Sequence, residues 1–159
     1  MSLAGQNALV VGGGSGMGEA IALALAKEGM NMAISGRRQE KLDAVASQSE
    51  SKILTKTADV GNRESVKELF EWFAGEFDRL HLLVNSAGVN IPKRSMNELE
   101  PDDWDKLMRI NATGAYNCMH FGLPLMRPHK EGLVINISSI AGLRASHLGG
   151  VAYNASKFA

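Results

Sequence analysis

Tyr153 and Lys157 lie four positions apart, and Ser139 precedes the tyrosine by fourteen. A four-residue interval puts two side chains on one face of a helix. A phenol and an ammonium placed together suit proton transfer to or from an oxygen. Free tyrosine ionises near pH ~10, too high for a group that must act as both acid and base at neutral pH, and a neighbouring cation favours the phenolate. Tyr153 is thus the candidate general acid/base, with Lys157 tuning it. Ser139 ends an apolar run and would hydrogen-bond the oxygen that receives the proton, a positioning and electrostatic role. No Gly-x-Ser-x-Gly elbow is present, which argues against a hydrolase. One reaction that asks for a proton donor and no enzyme nucleophile is hydride addition to a carbonyl carbon, or its reverse.

Hydride needs a carrier. Gly12-Gly13-Gly14-Ser15-Gly16-Met17-Gly18 follows an apolar run directly, and an Ala- and Leu-rich helix is expected from Glu19 to Lys27. Strand, glycine turn and helix N-terminus together present free N–H groups to a pyrophosphate, with Gly12, Gly14, Ser15, Gly16, Met17 and Gly18 as the cradle. A glycine cluster alone also fits a flexible loop. After the second apolar run comes Ser35-Gly36-Arg37-Arg38. A carboxylate here would read the ribose 2′-hydroxyl of NAD, whereas arginine favours a 2′-phosphate. Gly36 stands where the carboxylate would be, so Arg37 points to NADP, with NAD the alternative. Arg38 reads as a solvated turn residue.

These groups need a scaffold. Short apolar runs at Ala8–Val11, Met32–Ser35, Ile53–Ala58, Leu80–Val84 and Leu133–Ile137 alternate with helical patterns, the mark of βαβ units and of an α/β fold: a Rossmann-like doubly wound parallel sheet in three layers, as a single domain over residues 1–159. The first and last runs suit strands covered on both faces. Val66, Leu69, Phe70, Phe73 and Phe77 form one apolar stripe on a helix from Glu64 to Phe77. Pro101, followed by Asp102 and Asp103, reads as a first helical turn. Asn111 to Met126 reads as a further helix, apolar on most sides, which would be buried by more than the sheet, for instance by a second subunit. Asparagine inside such a helix is unfavourable unless it has partners.

The glycine spacing Gly12, Gly16, Gly18, the Asn85-Ser86-Ala87-Gly88 segment, Asn111 and the Ser139, Tyr153, Lys157 set, in that order, resemble the short-chain dehydrogenase/reductase family from Gly12 to Lys157. The resemblance implies that Asp59, with Val60, meets the adenine, that Asn85, Ala87 and Gly88 line the adenosine side, and that Lys157 also holds the nicotinamide ribose. It implies that Asn111 helps hold a water linking the lysine to solvent, and it favours Ser139 over Ser138 by register. It further implies a 3-oxoacyl-[acyl-carrier-protein] reductase-like enzyme acting on a small-molecule carbonyl or alcohol, assembled as a homodimer or homotetramer. Family members continue beyond the tyrosine–lysine helix, so the chain is expected to be a C-terminally truncated piece, with its fifth strand at an unprotected edge. A dinucleotide-binding module without turnover is the alternative.

Bulk properties narrow the partners. In 159 residues, 17 basic and 17 acidic side chains give a formal net charge of +0, so no overall field draws nucleic acid or an anionic membrane. The single Cys118 allows no internal disulfide and fits a reducing, cytoplasmic setting. His81, His120, His129 and His147 lack metal-ligand spacing, so no metal site is expected. His147 lies between Ser139 and Tyr153, in the segment expected to border the substrate.

Overall fold

The computed structural model describes residues 2–159. Five parallel strands, β1 (Asn7–Val11), β2 (Asn31–Gly36), β3 (Ile53–Thr57), β4 (Leu82–Asn85) and β5 (Leu133–Asn136), form one sheet in the order β3-β2-β1-β4-β5. Each lies on an expected run, although β3 stops at Thr57, so Asp59 and Val60 stand just beyond it. Val11 pairs with both Ser35 and Asn85, and Asn85 with Asn136. The strands therefore end level, and the segments that follow them emerge along one edge.

Side-chain alternation divides the core between the two faces. Leu9, Val11, Ala33 and Leu83 point to one side, where helix α3 (Arg63–Glu76) supplies Val66, Leu69, Phe70 and Phe73. Ala8, Val10, Met32, Ile34, Leu82 and Val84 point to the other, against helices α1 (Gly16–Lys27) and α2 (Gln39–Ala46). Every fully buried Leu or Phe contributes roughly 1.5–3 kcal/mol of hydrophobic stabilisation. The result is the expected three-layer, doubly wound α/β arrangement. Helix α1 begins at Gly16, three residues earlier than its pattern indicated, and approaches the sheet through Gly18, Ala22 and Ala26. Asn62 starts α3 by accepting the Ser65 N–H at 3.1 Å, and Phe77 lies just past its end, half-buried.

Two expectations change. β1 is buried throughout, but β5 is not covered on both faces: Leu133 is 57% and Ile135 39% exposed, while Val134 packs on the core. β5 is the outer strand with β4 its only partner, consistent with the unprotected edge anticipated for it. The single helix expected from Asn111 to Met126 is instead the end of a π-helical segment, an α-helix and a 3₁₀ turn. Helix α4 (Pro101–Leu107), with its proline in the first turn as expected, runs into a π-helical segment, Met108–Thr113, and then into α5 (Gly114–Gly122). α5 stops at Gly122, where a Cβ would lie 2.9 Å from the Phe70 ring, and Pro124 then enters a 3₁₀ turn. Proline removes a helix donor, so an α-helix does not continue through it. On α5, Tyr116 is 52% exposed and stacks on His120.

Candidate active site

The glycine loop is shaped by contacts that a side chain would prevent. Gly12 has a φ of +86°, and a Cβ there would lie 2.5 Å from the Ala87 backbone nitrogen. The Gly12 and Gly13 N–H groups both donate to the Ser35 carbonyl, at 2.7 and 3.0 Å, closing the loop over the end of β2. On Gly18 a Cβ would sit 2.1 Å from the Gly12 carbonyl oxygen, so the start of α1 lies directly against the loop. Ser15 caps α1 in extended conformation without using its hydroxyl, leaving that group free at the loop's rim.

A cleft of about 280 Å³ opens at this edge. Gly12, Gly14, Ser15 and Met17 form one wall, Arg37 stands on another, and Asp59, Val60, Ala87 and Gly88 complete it. Nine residues singled out from sequence thus share one cavity. Gly16, Gly18 and Asn85 do not line it: Gly18 fixes the helix against the loop, Gly16 supplies a turn at φ +58°, and Asn85 is buried and donates to Asn136 Oδ1 at 2.7 Å. Asn85 Oδ1 has no partner within the described residues. Asp59 accepts the Gly61 N–H through Oδ1 at 2.9 Å, an ordinary turn contact that occupies one of its two carboxylate oxygens.

The structure adds cleft residues that sequence reasoning passed over. Arg38, exposed at the start of α2 as expected, also borders the cleft, and Lys41, on the first turn of α2, borders it as well. Asn117 on α5, buried, supports the far wall by donating to the Val60 carbonyl at 3.1 Å.

Beyond Gly88 the cleft meets the tyrosine–lysine helix, α6 (Val151–Phe158). A Cβ on Gly88 would be 3.4 Å from Lys157 Nζ and 3.5 Å from Asn111 Oδ1, so these three residues are immediate neighbours. Lys157 Nζ donates to the Ile137 carbonyl at 3.0 Å and lies 5.8 Å from the centre of the Tyr153 ring. Burial pushes the Lys157 ammonium below its usual pKa range. Tyr153 is half-buried against Ile91, Leu107 and Ala152.

Asn111 sits in the π-helical segment, where its side chain has partners on both sides. Oδ1 accepts from the Val89 N–H, and Nδ2 donates to the Val89 carbonyl and, at 3.0 Å, to Ser156 Oγ. The two serines differ. Ser138 Oγ donates to the Lys157 carbonyl at 3.3 Å, tying the strand end to α6, whereas Ser139 Oγ accepts the Ala141 N–H at 3.2 Å and keeps its own proton available. His147 lies on a second, more apolar cleft of about 720 Å³, with Met96, Ala145 and Val151. No group of three or more metal-ligating side chains is clustered, and no helix is long and apolar enough to cross a membrane, among the described residues.

The short chain dehydrogenase family model matches residues 6–159. An uncharacterized oxidoreductase of Staphylococcus aureus strain MW2 is 36% identical over 153 residues, covering 96% of this chain and 65% of the relative. A 3beta-hydroxysteroid dehydrogenase of Mediterraneibacter gnavus is 36% identical over 154 residues, covering 95% of this chain and 55% of its own length. The chain therefore spans just under two thirds, or less, of these curated relatives. Among solved structures, levodione reductase superposes with a TM-score of 0.92 at 28% identity, over 96% of this chain and 61% of that one. The gox2181 structure does so with a TM-score of 0.92 at 26% identity, over 98% and 62%. Matched along nearly all of its length by an oxidoreductase family and by that family's folds, the chain belongs to the short-chain dehydrogenase family.

Proposed function

We propose that the protein is an NADP(H)-preferring oxidoreductase that exchanges hydride between nicotinamide and a carbonyl or secondary alcohol, with residues 1–159 as its dinucleotide-binding domain. The observation that carries this is the position of Gly88, which borders the cleft on one side and Lys157 Nζ and Asn111 Oδ1 on the other. A molecule seated in the cleft thereby has a direct route to the tyrosine–lysine pair.

The cleft fits the adenosine half of such a cofactor. Gly12, Gly14 and Ser15 offer backbone and a free hydroxyl to phosphate, Asp59 has a second carboxylate oxygen for the adenine, and Arg37 supplies a cation where a ribose phosphate would lie. When bound, the nicotinamide supplies or accepts the hydride. Tyr153 gives its proton to the carbonyl oxygen in reduction and recovers it in oxidation. The Lys157 ammonium stabilises negative charge developing on the tyrosine oxygen. Its bond to Ile137 uses one of three donors and leaves two for ribose hydroxyls or water. Ser139 directs its free proton at the substrate oxygen. Asn111, bound to Val89 and Ser156, acts as a positioning residue for α6.

Ketones are favoured over an acyl-carrier substrate, since two relatives bear the names levodione reductase and 3beta-hydroxysteroid dehydrogenase. The exposed Tyr116 and Trp104 support a homo-oligomer formed through α4 and α5, and the one buried cysteine accords with a cytoplasmic setting.

The test is NADPH oxidation by the intact protein, driven by a panel of cyclic ketones and a 3-oxoacyl thioester, beside Tyr153→Phe. Turnover with a ketone that falls at least about 100-fold in Tyr153→Phe is expected, the range for general acid–base catalysis. Turnover indifferent to that substitution would remove Tyr153 from the chemistry.

A further inference from the structure

Tyr153 sits in the first turn of α6, and that turn is fastened differently from the rest of the helix. The far half is held by Ser156, which accepts from the Asn111 amide, and by Lys157, which donates to the Ile137 carbonyl. A helix start leaves its first N–H groups without intrahelical partners, and α6 has no side-chain cap, its N-cap residue being Gly150. The partner comes from another loop. The Val151 N–H donates to the Arg94 carbonyl at 3.0 Å, so a backbone group from the segment after β4 closes the helix start.

Arg94 makes two further contacts with the same turn. Its guanidinium donates through Nη1 to the Leu148 carbonyl, a charge-assisted bond, and its stem lies where a side chain on Gly150 would be. A Cβ on Gly150 would be 2.3 Å from Arg94 Cβ and 2.7 Å from Arg94 Cγ, and φ there is +78°, so only glycine permits the approach. Asn90, from the same segment, donates through Nδ2 to the Gly149 carbonyl at 3.3 Å. The four residues from Leu148 to Val151 therefore all meet one loop. Apolar packing does little for this stretch, since Leu143 and Leu148 are 79% and 85% exposed. No ion pair draws Arg94 aside among the described residues, and Glu98, on the same cleft, accepts instead from Ser95 Oγ.

We infer that Arg94 is a positioning residue for Tyr153: by holding the Leu148 carbonyl and the start of α6 at once, it sets the angle at which the tyrosine meets the substrate. This rests on the reading of Tyr153 as the general acid/base. A proton donor is effective only within hydrogen-bond reach of its acceptor, so a first turn free to shift would lower the rate of the chemical step while leaving the nucleotide cleft intact. The two functions of Arg94 are separable. Its carbonyl belongs to the backbone and survives any substitution, whereas the bond to Leu148 belongs to the guanidinium alone.

Arg94→Met keeps the stem beside Gly150 and deletes the donor, and Arg94→Lys restores a donor. Both are compared with the wild-type intact protein in NADPH titration, in ketone-driven NADPH oxidation, and in carbon-13 spectra of ring-labelled tyrosine. The chain has two tyrosines, so Tyr116→Phe assigns the two signals. Arg94→Met should lower kcat about tenfold, keep KM and NADPH affinity within about twofold, and shift or broaden the Tyr153 signal while that of Tyr116 stays put. Arg94→Lys should return kcat to within about threefold of wild type. An Arg94→Met protein with kcat and the Tyr153 signal unchanged would overturn the inference and leave Tyr153 in its role. A KM that rises with kcat intact would make Arg94 a substrate contact, and NADPH affinity falling in step with kcat would make it a general structural residue; either overturns the positioning role. Wild-type turnover that is absent, or indifferent to Tyr153→Phe, would sink the reading of Tyr153 itself and this inference with it.

Discussion

Asn111 and Val89 are joined by two reciprocal hydrogen bonds: the Val89 N–H donates to Asn111 Oδ1 at 2.8 Å, and the Asn111 amide donates to the Val89 carbonyl at 2.9 Å. The amide thus completes the backbone of a loop that has just left β4, and its second N–H reaches Ser156 on α6. A single side chain in a π-helical turn connects the cleft to the helix that carries Tyr153 and Lys157. The wider turn presents Asn111 as a buried polar group with every partner supplied by protein.

Asn111→Leu keeps the volume and deletes these bonds, leaving the Val89 backbone without its partners. A loss of about 3 kcal/mol in unfolding free energy is expected, since each buried group left unpaired costs roughly 1–3 kcal/mol. Urea unfolding measures it. Nucleotide affinity should fall as well, because Gly88 and Val89 border the cleft. A variant within 0.5 kcal/mol of wild type, roughly the range of neutral surface changes, would mean that the loop holds its shape without Asn111.

Gly18 and Gly16 occupy neighbouring turns of one motif but answer to different constraints. At Gly18 a Cβ would meet the Gly12 carbonyl oxygen at 2.1 Å, a backbone atom that cannot turn aside. At Gly16 nothing lies within 4 Å, and only the φ of +58° disfavours a side chain. Gly16→Ala should therefore cost about 1–2 kcal/mol and preserve nucleotide binding, with Gly16→Asn milder still. Gly18→Ala should force α1 off the loop and abolish binding, at more than ~3 kcal/mol of stability, in the range of severe packing defects. Titrations and melting curves on the three variants decide it. Equal effects at the two positions would refute the distinction.

Most of the scaffold was readable because it depends on local pattern. The apolar runs of β1 and β4 and the α3 stripe of Val66, Leu69, Phe70 and Phe73 state their burial in their spacing. The catalytic candidates were readable because type and spacing limit chemistry. What escaped depends on neighbours. A π turn differs from an α turn by one residue of hydrogen-bond register, and the apolar pattern around Asn111 does not encode that. Gly122 lacks a side chain where Phe70 and Leu83 fill the space beside it, a fact of tertiary packing. β5 lies at the edge anticipated for it, but its apolar run suggested cover on both faces, and the exposure of Leu133 and Ile135 depends on which elements pack there, not on the run itself.

His81, away from the cleft, carries structural weight. Its Nδ1 accepts the Asn7 N–H at 3.0 Å, at the point where β1 begins beside the approach to β4. That contact requires an unprotonated Nδ1. Burial, with the Arg79 charge second, holds the His81 pKa below its usual 6.5, against the opposing pull of Asp78 and Glu131. Below pH 6.5 the unfolded chain binds this proton more readily than the folded chain, so acidification favours unfolding. The contribution is complete above that pH and is lost as pH falls through the lower, folded value. His81→Asn offers an amide oxygen near the position of Nδ1 and does not titrate, so it should keep the Asn7 contact while flattening the stability profile between about pH 5 and 7. Urea unfolding of both proteins across that range isolates the histidine, because every other titrating group is common to the two. Parallel profiles would show that His81 ionises alike in the folded and unfolded chains. A wild-type curve that falls away from the variant on the acid side would identify the Asn7–His81 contact as a pH-sensitive fastening between the first and fourth strands.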